Sequence, residues 1–266
     1  MITSPRPMSR LLILGVWLGV VFLTLVGLAG AIFRGIFPDD YVTRAEPARQ
    51  RLLATLDRSD PPGIDRASEL HRFDSRFAEH RLITLLHIVP GGVFLLFAPL
   101  QFSLRVRRRF IRFHRWSGRI LIVLGLATVV PGLFFGLLMP YAGAGEAILI
   151  AVVSALFLTA VTRAILAVRR GDILRHREWM IRAFAVMIGI STTRVAGGLL
   201  DVALAPYGLG SEGLFLLALW GGWALTIGPA EVWIRYTRAR LHGSVLSSRQ
   251  EITSPSATRG PAVVLQ

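Results

Sequence analysis

Long apolar runs alternate with short polar stretches along most of this chain, and the alternation predicts six membrane-spanning helices. Each run has close to the ~20 residues that a helix needs to cross a hydrocarbon layer about 30 Å thick. The predicted spans are residues 11–33, 82–104, 118–139, 146–168, 179–203 and 212–234. The sequence therefore predicts an all-α, polytopic membrane protein.

A basic hairpin, residues 101–119, joins the second and third predicted spans and carries seven arginines. Its pattern returns at a constant offset of 62 residues, after the fourth span. We interpret residues 82–203 as a four-helix core built from two parallel helix–loop–helix repeats. The matching positions are Val106-Arg107-Arg108 with Val168-Arg169-Arg170, Ile111 with Ile173, and His114-Arg115 with His176-Arg177.

The remaining segments differ in character. Residues 1–33 hold a polar start and the first span, whose apolar run is longer than the about 7–15 residues of a signal-peptide core. Residues 34–81 form a polar segment with Pro61-Pro62-Gly63 at its middle and weak helical patterning on either side. Residues 204–240 carry the sixth span. The tail, residues 241–266, is rich in Ser, Thr and Pro, and this composition predicts disorder.

The distribution of arginine predicts the orientation in the membrane. The loops at residues 105–117 and 169–178 are rich in arginine, whereas those at 140–145 and 204–211 contain none. Because cytoplasmic loops retain arginine and lysine, we expect both termini in the cytoplasm and the chain in the plasma (inner) membrane. The segment 34–81 is then expected outside, since long segments cross the membrane largely regardless of their charge.

Composition narrows the function classes. The chain is 53% hydrophobic and 17% charged, against about 25% charged residues in globular domains. The formal charge of +14 comes from arginines that flank apolar spans, which favours contact with anionic membrane lipids and argues against nucleic-acid binding. The sequence contains no cysteine, phosphate loop, metal-ligand cluster or nucleophile–base motif, so it disfavours an ATPase or a hydrolase and indicates no catalytic residue. It indicates no protein partner either.

Four short motifs match the pattern of a known family: His87-Ile88-Val89-Pro90-Gly91-Gly92, Gln101-Phe102, His114-Arg115-Trp116-Ser117-Gly118-Arg119 and His176-Arg177-Glu178-Trp179-Met180-Ile181-Arg182. In these motifs the chain resembles the bacterial predicted membrane proteins grouped as domain of unknown function 2306. The resemblance covers about residues 76–203 and is weaker in the first helix, the segment 34–81 and the sixth helix. It implies a membrane fold and no particular reaction.

Two ionisable residues are predicted at one depth inside the bilayer. His87 lies five residues into the second span, and Arg194 lies fifteen residues into the fifth, which runs the opposite way. At a rise of about 1.5 Å per residue, both come about 8 Å below the outer surface. Together with the hydroxyl of Thr193 they predict a polar pocket for a small molecule, a lipid or a cofactor. The alternative is that they only bond freed carbonyls and join helices.

Two further histidines, His114 and His176, begin helices at equivalent points of the two repeats. A bis-histidine haem b needs two imidazoles from different helices at one depth, so haem b is a candidate cofactor with these residues as ligands. The alternative, which we favour, is interfacial anchoring together with the adjacent Trp116 and Trp179, because both histidines lie shallower than a buried haem prefers.

Near the cytoplasmic face, Arg182 and Glu231 are predicted at one depth, as a structural ion pair that joins the sixth helix to the core. The leading hypothesis for function is a membrane protein with a polar intramembrane pocket, which includes a haem- or quinone-linked redox protein. The alternatives are a small-molecule or lipid transporter and a structural membrane protein, both without redox chemistry.

Overall fold

The structure, a computed structural model, describes residues 10–60, 65–204 and 207–253. Within these residues there is no β-strand, and a 3₁₀ turn (Thr43–Ala45) and a π-helical turn (Phe134–Leu138) accompany the α-helices. The helices are α1 (Arg10–Ile36), α2 (Glu46–Thr55), α3 (Arg66–Ala78), α4 (Arg81–Gln101), α5 (Leu104–Arg109), α6 (Ile111–Leu133), α7 (Gly143–Arg169), α8 (Ile173–Leu204) and α9 (Ser211–Thr253).

Among the residues that the structure describes, six helices are long and apolar enough to cross a membrane, which confirms the six predicted spans. They are α1, α4, α6 with its π turn, α7, α8 and the part of α9 that ends at Arg240. Helices suit this environment because their backbone polar groups bond within the element and need no water. Large apolar side chains such as Leu11, Leu82 and Val130 stay exposed on the bundle, where lipid tails can cover them.

The connections place different elements at the two ends of the bundle. The end that carries α2 and α3 is called the α2–α3 end. The opposite end carries α5, the start of α6 and the turn around Gly171, and we call it the arginine-rich end. Gly125 of α6 and Gly136 of its π turn face Phe157 and Ile150 of α7 in turn, so these two helices run antiparallel. Gly27 and Gly35 of α1 face Leu95 and Ile88 of α4, so these two are antiparallel as well.

Helix α8 lies at the centre of the bundle because it contributes to both apolar clusters of the core. In the first cluster, Val186 of α8 packs with Phe157 of α7 and Trp223 of α9. In the second, Phe184 and Ile188 of α8 pack with residues of α4 and α6, including Phe94 and Leu121. The side chains on α8 are therefore fixed from two sides.

Two buried ion pairs hold α3 against the membrane helices. Arg34 of α1 donates to Asp74 of α3 over 2.6 Å, and Arg76 of α3 donates to Glu146 of α7 over 3.0 Å. All four side chains are buried. Buried charges are tolerated only when they are paired and hydrogen-bonded, so these contacts fix the position of α3 over the bundle.

This architecture bears on two predictions from the sequence, the two-repeat core and the disordered tail. The pairs α4–α6 and α7–α8 each pack side by side, as the two-repeat core requires, and the equivalence of the two pairs stays a prediction. Helix α9 continues to Thr253, so it extends into the tail for which the sequence predicts disorder. Residues 254–266 and the Pro61-Pro62-Gly63 stretch lie outside the described residues.

Candidate functional site

A cavity of about 1430 Å³ extends into the bundle from the α2–α3 end. All six membrane-spanning helices and the α2–α3 segment contribute to its wall, and many lining side chains are apolar, such as Phe157, Met187 and Trp223. Typical ligand pockets enclose about 300–1,000 Å³. The cavity therefore has room for a molecule of lipid size.

His87 lies in the wall of this cavity, and its neighbours fix the orientation of its ring. The Nδ1 atom lies 2.9 Å from the carbonyl oxygen of Thr128 on α6. Because a carbonyl can only accept, Nδ1 carries the proton and Nε2 keeps a free lone pair when the ring is neutral. Pro131 and the π turn after it disturb the regular bonding of α6 in this region.

Arg194 reaches the cavity from α8, where that helix lies against α1. Gly27 and Gly30 of α1 face Ser191 and Arg194 of α8, and each glycine leaves space that a larger residue would fill. Small residues at this spacing allow two helices to approach closely in a membrane. The backbone of α1 therefore forms one side of the site that holds the Arg194 guanidinium.

The charge of Arg194 has no counter-charge in the described part of the chain. Its guanidinium makes no hydrogen bond or ion pair with any residue that the structure describes. It lies within electrostatic range of His87 and of Arg34. A half-buried arginine is thus held among apolar helices without an anionic partner there.

Thr193, the third residue of the predicted pocket, also lines the cavity, but its hydroxyl already has a partner. The Oγ1 atom donates to the carbonyl oxygen of Gly189 over 3.1 Å. A Cβ atom at Gly222 of α9 would lie 2.4 Å from the same Oγ1. Thr193 therefore mainly serves the close packing of α8 against α9.

The other arginines in the cavity wall all have partners. The hydrogen bond to Asp60 raises the pKa of Arg49 above its ordinary value, whereas burial lowers the pKa of Arg76 despite the adjacent carboxylate of Glu146. Arg34 pairs with Asp74, Arg44 with Asp40, Arg49 with Glu46, Asp60 and Asp201, and Arg76 with Glu146, while Arg58 donates to the carbonyls of Val202 and Ala203.

The sequence interpretation did not identify Arg34, Arg76 and Glu146 as part of this site, nor Asp74 as the partner of Arg34. A charge close to the end of an apolar run was the available signal, for Arg34 at the end of α1 and Glu146 at the start of α7. The partners are 40 and 70 residues apart in sequence, so no local pattern connects them.

His114 and His176 lie at the arginine-rich end, within electrostatic range of one another. His176 Nδ1 lies 3.0 Å from the carbonyl oxygen of Ala164, which fixes its ring and leaves Nε2 without the proton in the neutral form. His114 Nδ1 is buried and has no hydrogen-bond partner among the described residues. The cavity that contains His87 and Arg194 does not include either histidine in its wall.

Arg182 and Glu231 form a two-pronged contact between α8 and α9. The Nε and Nη2 atoms of Arg182 donate to the two carboxylate oxygens of Glu231 over 2.5 and 2.9 Å. The guanidinium also lies over the ring of Trp179, 4.5 Å from its centroid, and Arg163 lies 5.3 Å from that same centroid. This arrangement fits the structural ion pair that the sequence predicts.

Comparison with protein families identifies one match, described as Predicted membrane protein (DUF2306), over residues 84–234. The matched region runs from α4 into α9 and includes His87, His114, His176 and Arg194. No curated protein and no solved structure matches the chain.

Proposed function

The chain belongs to the DUF2306 family of predicted membrane proteins, and we propose that its cavity binds a small molecule or lipid with an apolar body and an anionic group. In this proposal Arg194 pairs with the anionic group, and His87 Nε2 accepts a hydrogen bond from a hydroxyl or amide group where the ligand carries one. The observation that supports it is the contrast between Arg194 and the other arginines of the cavity wall.

That contrast concerns counter-charges. Arg34, Arg49 and Arg76 each have at least one carboxylate within hydrogen-bonding distance. Arg194 lies deeper among the membrane helices and has none among the described residues. A charged residue at the centre of a membrane helix costs at least about 2.5 kcal/mol, so a compensating partner is expected.

The chemistry of the wall limits the class of ligand. A carboxylate or phosphate can accept two hydrogen bonds from the planar guanidinium, which neutralises its charge and fixes its orientation. The apolar side chains around it, such as Phe157 and Trp223, favour an apolar body. A neutral quinone would accept a hydrogen bond without neutralising the charge, so an anionic amphiphile fits better.

The test compares two probes with the same chain length, dodecanoate with an anionic carboxylate head and dodecanol with a neutral hydroxyl head. Wild type and Arg194→Leu are reconstituted in phosphatidylcholine nanodiscs, and thermal unfolding is followed by tryptophan fluorescence. We expect dodecanoate to raise the midpoint of the wild type more than dodecanol does, and to lose this effect in Arg194→Leu.

Arg72→Leu is the matched control, because Arg72 is an exposed arginine of α3 that lies outside the cavity wall. It should keep the wild-type response to dodecanoate. Equal responses of Arg194→Leu and the wild type would contradict the proposal. A stabilised Arg194→Leu protein, with no dodecanoate effect in either form, would indicate a purely structural role for this region.

A haem-linked function is the second candidate, and the placement of His114 and His176 within range of one another is the observation that favours it. Each ring would use one nitrogen for iron, as in other bis-histidine sites. Protein expressed with ample haem should then show a reduced-minus-oxidised b-type spectrum that His114→Ala or His176→Ala abolishes and His87→Ala leaves intact. A colourless preparation would contradict this candidate.

A further inference from the structure

A group of cationic and imidazole side chains meets at the arginine-rich end, on the opposite side of the molecule from the cavity mouth. Arg107 of α5 lies within electrostatic range of His114 on α6 and of Arg177 on α8. His176, one residue before Arg177, is within range of His114 as well. We call these four residues the basic cluster.

Two polar atoms inside the basic cluster lack partners. The Nε atom of Arg107 and the Nδ1 atom of His114 are both buried, and neither has a hydrogen-bond partner in the described ranges. A buried donor that is left without a hydrogen bond destabilises the folded protein, so native structures rarely contain one. Both atoms belong to side chains that can donate to an anion.

The carboxylates near the basic cluster are already engaged. Glu178, which lies within electrostatic range of Arg177, accepts two hydrogen bonds from Arg238. Asp172, in the turn before α8, accepts from the backbone N–H of Arg175 and pairs with its side chain. These carboxylates are therefore already bonded elsewhere, although Glu178 still lies within range of Arg177.

Burial separates the basic cluster from the ordinary basic surface of this end. Arg108 and Arg109, the next two residues of α5, are exposed, as expected for arginines that meet lipid head groups or water. Arg107, His114, His176 and Arg177 are each partly buried. The same short helix thus presents one arginine inward and its two neighbours outward.

We propose that the basic cluster binds a phosphate-class anion, with Arg107 and His114 as its principal donors. This site is separate from the cavity and does not depend on its proposed ligand. A phosphate group matches the donors because a guanidinium can bond two of its oxygens while an imidazole bonds a third. The phosphate can come from a soluble phosphate compound or from the head group of an anionic lipid.

The test uses wild type, Arg107→Gln and Arg108→Gln in phosphatidylcholine nanodiscs. One arm titrates inorganic phosphate against sodium chloride of equal ionic strength and measures binding by phosphorus NMR. The other arm adds phosphatidylglycerol to the nanodiscs and counts retained lipid molecules by native mass spectrometry. Binding in the first arm identifies a soluble source, and binding in the second arm alone identifies a lipid source.

In whichever arm the wild type binds, Arg107→Gln should weaken binding by about tenfold, because it removes charge-assisted hydrogen bonds. Arg108→Gln loses the same formal charge at an exposed position and should bind as the wild type does. Equal losses of binding in the two variants would show that only the general positive charge matters, and this result would overturn the proposal. Absence of binding in both arms would overturn it too.

His114→Leu, which has no side-chain donor, provides an independent variant if Arg107→Gln does not fold, as judged by size-exclusion chromatography. It removes the imidazole and should weaken binding in the same arm, whereas wild-type affinity in this variant would overturn the proposed donor set. A b-type haem spectrum that depends on His114 would also overturn the proposal, because the imidazole would then be occupied by iron.

Discussion

Gly30 of α1 and Arg194 of α8 fit together so closely that a single added methyl group would displace the arginine. A Cβ atom built at Gly30 lies 2.5 Å from Arg194 Nε and 2.8 Å from its Cζ. Those distances are too short for real contacts, and the guanidinium is the part that can move. The absence of a side chain at Gly30 therefore allows the Arg194 guanidinium to occupy its present position.

This relationship predicts that Gly30→Ala impairs ligand binding without unfolding the protein. Alanine favours a helix over glycine by about 0.5–1 kcal/mol, which offsets part of the cost of moving the arginine. We expect a thermal midpoint near that of the wild type and a reduced response to dodecanoate. Gly19→Ala, on the same helix with nothing within 4 Å of the added atom, is the control and should keep the full response.

The contact between Arg182 and Glu231 predicts coupled effects on stability. Loss of either partner leaves a partly buried charge without its bonds, at a cost of about 1.5–3 kcal/mol in the free energy of unfolding. The charge-swapped double variant should recover part of that loss. Arg238→Gln removes a more exposed contact of the same type, with Glu178, and should destabilise the protein less than loss of Arg182 or Glu231 does. Additive single effects in a double-mutant cycle would contradict the coupling.

Glu146 combines two roles, so its removal should be severe. One carboxylate oxygen accepts from Arg76, and the other accepts from the backbone N–H groups of Tyr141 and Ala142 over 2.7 and 2.9 Å. Glu146→Ala should lower the free energy of unfolding by about 3–5 kcal/mol, because it leaves a buried cation unpaired. Glu212→Ala, which removes the exposed partner of Arg72, should cost below about 1 kcal/mol. Chemical denaturation in detergent measures both.

The arginine distribution predicts the orientation of the six helices. Reporter fusions after residues 60 and 143 should be active on the outside, and fusions at 110, 172 and 250 should be active in the cytoplasm. A cytoplasmic signal after residue 60 would mean that α1 does not cross the membrane. The fusion points lie outside the membrane-spanning helices, except that residue 143 is the first residue of α7.

Hydropathy was sufficient to locate the membrane helices, because lipid leaves no alternative to a hydrogen-bonded helix for an apolar run of this length. Hydropathy does not locate the ends of these helices as closely. Helix α8 begins at Ile173, six residues before the apolar run that starts at Trp179, because four ionisable residues, Arg175 to Glu178, continue the helix and lower the hydropathy there. His87 and Arg194 both lie in the wall of one cavity, and the common membrane depth calculated for them stays a prediction.

The partners of the buried charges could not be predicted from the sequence. Depth gives a height in the membrane but not the direction in which a side chain points, and contacts between helices depend on rotation about each axis. The packing of Gly27 against Ser191 and the pairing of Arg34 with Asp74 both depend on that rotation. No local pattern distinguishes Arg76 from the other arginines of the α2–α3 segment, although Arg76 is buried.

The two ion pairs of α3 also set an order of events during synthesis. Asp74 leaves the ribosome 40 residues after Arg34, so this pair can form before α4 is complete. Arg76 has to wait a further 70 residues for Glu146, which arrives only with the fourth membrane helix. Until then α3 carries a cation without its counter-charge, and its final docking is coupled to the insertion of α7. A ribosome stalled before Glu146 should therefore hold a nascent chain whose α2–α3 segment is still open to proteases.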